Sequence, residues 1–90
     1  MVKYKVLILK QAIKDKEKIK QFPVLKGNVE KLLGIIKDNP FQSPPPYETL
    51  SGDMKGLYSR RINRQHRLVY KVIQEEQILI IVSMWSHYDF

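Results

Sequence analysis

Four side chains carry most of the chemistry open to this 90-residue chain: the carboxylate of Glu48, the guanidinium groups of Arg61 and Arg67, and the imidazole of His87. Together they suffice for metal-free cleavage of RNA. A base removes the proton of a ribose 2′-hydroxyl, the oxygen attacks the adjacent phosphorus, and an acid protonates the departing 5′-oxygen. Guanidinium groups neutralise the charge that builds on the phosphoryl oxygens. Glu48 is suited to accept the proton, and His87, with an unperturbed pKa of about 6.5, is suited to supply one near neutrality. Each also has a plainer reading, Glu48 as a solvated loop acid and His87 as a chain-end histidine. His66, which follows a polar turn, is assigned a structural or strand-capping role. Cysteine is absent, and no carboxylate cluster or His-rich spacing suits Mg²⁺ or Zn²⁺, so neither metal nor cofactor is expected.

The arginines belong to the stretch that everything else must support, residues 58–70, YSRRINRQHRLVY. It reads as two strands joined by a tight polar turn. Side chains alternate along a strand, so if Ile62 points to the core, Ser59 and Arg61 point away from it. Burial of Leu68, Tyr70 and Val72 leaves Arg67, Val69 and Lys71 on that same outward face. Residues 55–71 hold six basic residues, Lys55, Arg60, Arg61, Arg64, Arg67 and Lys71, and no acid. Like charges side by side on a sheet repel unless an anion lies across them, and arginine's planar fork suits phosphate. Arg61, Arg60, Lys55 and Lys71, with Trp85, are therefore expected to bind phosphate or RNA. Solubility alone also puts such charges on exposed strands, and Trp85 at a strand end can equally be core.

Residues 2–9 read as a strand running into the sheet centre. Residues 11–21 read as a helix with Ala12, Ile13, Ile19 and Phe22 on its apolar side, ended or kinked by Pro23. The clearest helical signal is residues 24–37, with Leu25, Val29, Leu32, Leu33 and Ile36 on one face. Gly27 and Gly34 within it suggest close packing. Residues 40–56 hold four of the five prolines and form a long stiffened loop, with an extended polyproline run at 44–46 and a short strand at 47–50. Residues 77–87 form a final strand. If Ile78, Ile80, Val82 and Met84 face the helices, Ser83, Trp85 and His87 share the open face. The order β-α-α-β-β-β(-β) indicates one α+β domain over residues 1–90, with both helices on one face of a mainly antiparallel twisted sheet.

A net charge of +7 and a pI near 9.7 favour a polyanionic partner such as nucleic acid or the ribosome, though an anionic membrane or an acidic protein would also suit. No apolar run approaches the roughly 20 residues of a membrane span, and no secretory signal is evident, so a cytoplasmic location without membrane association is expected.

Pro40-Phe41, Tyr47-Glu-Thr-Leu50, Gly56, Tyr58-Ser-Arg-Arg-Ile62, His66-Arg-Leu-Val-Tyr70 and Trp85-Ser-His-Tyr88 resemble the Txe/YoeB family of toxins within the RelE/ParE superfamily. The resemblance spans essentially the whole chain and implies a RelE-like fold. It implies the toxin of a type II toxin–antitoxin module, a bacterial endoribonuclease that cuts mRNA in the ribosomal A site and stops translation. By motif position Glu48 would be the general base, Arg67 the transition-state stabiliser, His87 the general acid, Tyr88 a positioning group and Arg61 a phosphate contact. The implied partners are mRNA on the 70S ribosome, including 30S A-site rRNA, a YefM/Phd-like antitoxin whose disordered C-terminal segment wraps the toxin, and a second copy in a homodimer. Two departures stand out: Ser51 replaces a lysine that many members carry, and Asp89-Phe90 follow the usual His-Tyr terminus. The rival class is a non-catalytic binder, either a ParE-like inhibitor of DNA gyrase or a ribosome-associated RNA-binding protein.

Overall fold

The computed structural model describes residues 3–86. In chain order these are β1 (Lys5–Ile8), α1 (Lys10–Ile19), α2 (Pro23–Asp38), β2 (Tyr47–Thr49), a 3-10 turn at Gly52–Met54, β3 (Leu57–Arg61), β4 (Arg67–Ile73) and β5 (Ile78–Ser86). The five strands form one sheet in the order β1-β5-β4-β3-β2. β1 runs parallel to β5, and every other pair is antiparallel. The expected α+β architecture is present, with both helices contributing to a single core over one sheet face.

Each helix buries one stripe. In α2, Leu25, Val29, Leu32 and Ile36 are buried at helical spacing, and Pro23 occupies the first turn, where its missing N–H costs nothing. Pro23 thus begins the second helix. In α1 the buried set is Ala12, Asp15 and Ile19, whereas Ile13 and Phe22 are about half exposed, against the sequence expectation. Asp15 earns its buried position through hydrogen bonds. β1 ends opposite Ile81, so β5 continues without a strand partner on that side. There one Asp15 carboxylate oxygen accepts the backbone N–H groups of Met84 (2.9 Å) and Trp85 (3.3 Å), and the other accepts from Gln11 (3.0 Å).

Several other expectations are corrected. β1 is an edge strand with Leu7 partly exposed, because β4 occupies the centre. In β5 the core residues are Leu79, Ile81 and Met84, not Ile78, Ile80 and Val82. The β4–β5 register slips between Val69 and Tyr70 and again between Arg67 and Val69, and each inserted residue reverses the side-chain phase. A Cβ at Gly27 or Gly34 would meet nothing within 4 Å, so close packing does not account for either glycine. The proline run is not an extended polyproline segment, since the chain bends at residues 44 and 45.

What holds that loop is Arg60. Its side chain is 1% exposed, on the helix side of β3, as alternation from Ser59 and Arg61 requires. Nε donates to the Tyr70 hydroxyl (3.0 Å), Nη1 to the Pro45 carbonyl (2.6 Å), and Nη2 to the carbonyls of Pro40 (3.1 Å) and Gln42 (2.8 Å). Tyr70 in turn donates to the Pro40 carbonyl at 2.8 Å. The guanidinium also lies 5.0 Å from the Tyr47 ring centroid, and Phe41, Tyr47, Tyr58 and Tyr70 pack ring against ring beside it. The loop is thereby fastened to β3 and β4, and it delivers the chain to β2 at a fixed place.

Two predictions follow from these buried polar groups. Asp15→Ala leaves two strand amides without their acceptor, and denaturant unfolding should show a loss of about 3 kcal/mol. Burial pushes the Tyr70 phenol above its ordinary value of 10.0, an effect that the Arg60 hydrogen bond and charge partly offset. A raised folded-state pKa means Tyr70 contributes its full stability below pH 10, and that contribution is lost as pH rises through the folded value. Tyr70→Phe should therefore be less stable by about 2 kcal/mol at neutral pH, with the gap to wild type narrowing above pH 10 in urea titrations.

Candidate active site

The site begins with strand register. Antiparallel pairing sets Glu48 beside Ser59, Ser59 beside Val69, and Arg61 directly opposite Arg67. Paired residues share a face, so Glu48, Ser59, Arg61, Arg67 and Val69 all stand on the side of the sheet away from the helices. The hairpin reading from alternation is thus upheld: Leu68 and Tyr70 are buried in the core, and Arg61 and Lys71 are exposed on the far side.

Glu48 and Arg67 reach toward each other across the intervening strand β3. Arg67 Nη1 lies 3.6 Å from Glu48 Oε2; the arginine side chain is 12% exposed and the carboxylate side chain 53%. Pro46, Glu48, Ser59, Arg61 and Arg67 line one cleft of about 310 Å³. Two arginines face each other directly in it, and Glu48 is the carboxylate among its described lining residues. Such a cleft is suited to a phosphodiester, with a proton acceptor at one wall and guanidinium donors at the other. Its floor holds Ser59, 1% exposed, whose Oγ has no hydrogen-bond partner among the described residues.

The remaining predicted site residues fall elsewhere. Lys71 shares the face but pairs with Leu57, four residues along β4 from Arg67. Lys55 is exposed in the turn that precedes β3 at that same end. Neither lines the cleft. Arg60 is corrected outright as a phosphate ligand, because its donors are turned into the loop and its side chain is buried. Trp85 is also displaced from the expected open face. Its ring packs 4.1 Å from His66 and 5.8 Å from Phe22, beside a separate groove of about 530 Å³ that Val24 and Asn28 of α2 also line. His66 donates its backbone N–H to the Asn63 side-chain oxygen (2.7 Å), and its Nδ1 lies 3.1 Å from that same oxygen. Ser51, noted above as a departure from the family pattern, is an exposed residue preceding the 3-10 turn. His87 and Tyr88 lie outside the described residues; β5 ends at Ser86, whose register partner is Arg67. Two polar residues escaped the sequence reading. Asp15 showed no signal beyond its i+3 spacing from Ala12, whereas Ser59 was placed on the correct face by alternation but given no role.

Both the sequence and the fold are shared with known proteins. Residues 11–88 match the family described as YoeB-like toxin of bacterial type II toxin–antitoxin system. Toxin YoeB of Streptomyces coelicolor is 40% identical over 60 residues, covering 67% of this chain and 69% of the relative. Among solved structures, a YoeB/ParE toxin from Agrobacterium tumefaciens superposes with a TM-score of 0.85 at 30% identity, covering 93% of this chain and 99% of that one. Two Staphylococcus aureus structures, the YoeB–YefM complex and the YoeB dimer, superpose at 0.80 and 0.83, each 30% identical and covering 97% of this chain and all of the other. With most of its length matched and its basic cleft built on the shared fold, the chain belongs to the YoeB-like family of bacterial type II toxins.

Proposed function

We propose that this toxin is a ribosome-dependent endoribonuclease that cuts mRNA in the A site and so halts translation. The observation that supports this reading most directly is the 3.6 Å approach of Arg67 to Glu48, within a cleft that Arg61 also lines. When a phosphodiester enters, its oxygens compete for Arg67 and release the Glu48 carboxylate. Glu48 then takes the proton of the ribose 2′-hydroxyl as that oxygen attacks phosphorus. Arg67 and Arg61 stabilise the negative charge that accumulates on the phosphoryl oxygens. His87, the residue after Ser86, protonates the departing 5′-oxygen, leaving a 2′,3′-cyclic phosphate and a 5′-hydroxyl. Tyr88 orients the reacting groups. No metal takes part in any of these steps.

The expected partners are the 30S A site with its mRNA, a YefM-like antitoxin such as the one in the S. aureus complex, and a second copy as in the S. aureus dimer. The work place is the bacterial cytoplasm, and no described helix is long and apolar enough to cross a membrane.

On ribosomes programmed with a defined mRNA, Glu48→Gln should slow cleavage about 100-fold or more, and Arg67→Ala by about 100-fold. Glu48 is largely exposed, so its replacement should leave the melting temperature nearly unchanged. A folded Glu48→Gln/His87→Gln protein that still arrested growth on expression would end the proposal. For the partners, co-expression of this toxin with a YefM-type antitoxin should yield a co-purifying complex that lets cells grow. Separate elution of the two proteins with undiminished toxicity would rule that partner out.

A further inference from the structure

We infer that the Ser59 hydroxyl is a third hydrogen-bond donor to the reacting phosphodiester, acting beside Arg61 and Arg67. This rests on the ribonuclease reading and assigns one more group to its substrate.

The position is dictated by topology. β3 lies between β2 and β4, and Ser59 is the β3 residue in register with both Glu48 and Val69. The Glu48 to Arg67 contact crosses β3 over this point, so the side chain beneath must be small. Alanine or glycine would fulfil that steric requirement without carrying a polar atom. Serine instead leaves a hydroxyl 99% buried in residue terms and without a hydrogen-bond partner among the described residues. Buried hydroxyls in native proteins are nearly always bonded, because an unmet one destabilises the fold. Elsewhere in this molecule buried polar side chains obey that rule: Asp15 and Arg60 both have their polar atoms engaged.

The hydroxyl lines the cleft with Pro46, Glu48, Arg61 and Arg67, so the groups beside it are one acceptor and two cationic donors. A phosphodiester drawn between the arginines brings an anionic oxygen over Ser59. As Arg67 turns from Glu48 to that oxygen, Ser59 is uncovered and donates its O–H to the same phosphate. The bond exists only with substrate in place, so its energy enters binding and cleavage and not folding.

The test is Ser59→Ala in the full-length toxin, with melting temperature and single-turnover cleavage on programmed ribosomes measured together. The melting temperature should be unchanged or higher, and cleavage should slow about tenfold. A second readout uses mRNA with a phosphorothioate at the scissile position, because sulfur accepts hydrogen bonds poorly. Wild type should be slowed by sulfur at the oxygen Ser59 serves, and Ser59→Ala should lose part of that penalty for the same diastereomer. Wild-type cleavage rates and an unaltered sulfur effect in Ser59→Ala would overturn the inference while leaving the ribonuclease reading intact. A fall in melting temperature would also overturn it, by showing that the hydroxyl serves the fold. Failure of the wild-type toxin to cut RNA would instead remove both readings.

Discussion

A single buried guanidinium organises the cleft-bearing half of this molecule. Arg60 has no acidic partner among the contacts described; it is neutralised by geometry, through hydrogen bonds to three loop carbonyls and one phenol and through the face of Tyr47. A charge so placed is costly to bury unless its donors are met, and removing any one acceptor exposes that cost. The loop from Pro40 to Pro46 is consequently fixed to the sheet, although it contributes little regular structure. β2 is only three residues long and could not define its own place. The register that sets Glu48 beside Ser59 depends on Arg60 holding the loop just before it.

On the other side of β4 the sheet is secured by the complementary device. Asp15 brings a carboxylate from α1 to strand amides that β1 is too short to reach. The last paired residue of β5, Ser86, lies opposite Arg67, so the anchored segment is the one that leads to His87. One buried cation thus positions the acceptor side of the cleft, and one buried anion positions the strand leading to the proposed donor. Their helix-side locations leave the far face of the sheet free to concentrate positive charge.

Much of this was legible from alternation. In the hairpin, period-two patterning separates Leu68 and Tyr70 from Arg67 correctly, and the α2 stripe is visible because Leu25, Val29, Leu32 and Ile36 are all apolar. The failures share a physical origin. Alternation fails in β5 because inserted residues reset the phase, and no local sequence mark announces a bulge. The helix stripe fails in α1 because a buried position is taken by an acid, whose partners lie almost seventy residues away. Arg60 and Arg61 look identical in a basic run, and only strict application of the pleat sends one to the loop and the other to the cleft. Ser59 follows the pleat faithfully, but an unbonded hydroxyl can be recognised only from coordinates.

Strand pairing sets Arg61 and Arg67 directly opposite each other in the cleft. Among the described residues the cleft lining supplies one carboxylate, Glu48, and it is half exposed, where an ion pair is weak. Like charges set opposite each other on a sheet repel, and an entering anion relieves that repulsion. The contact that moderates this repulsion in the free protein also occupies the group proposed to act as base. In the proposed mechanism, substrate binding and release of Glu48 become one event, with the carboxylate freed as a phosphodiester takes its place on Arg67.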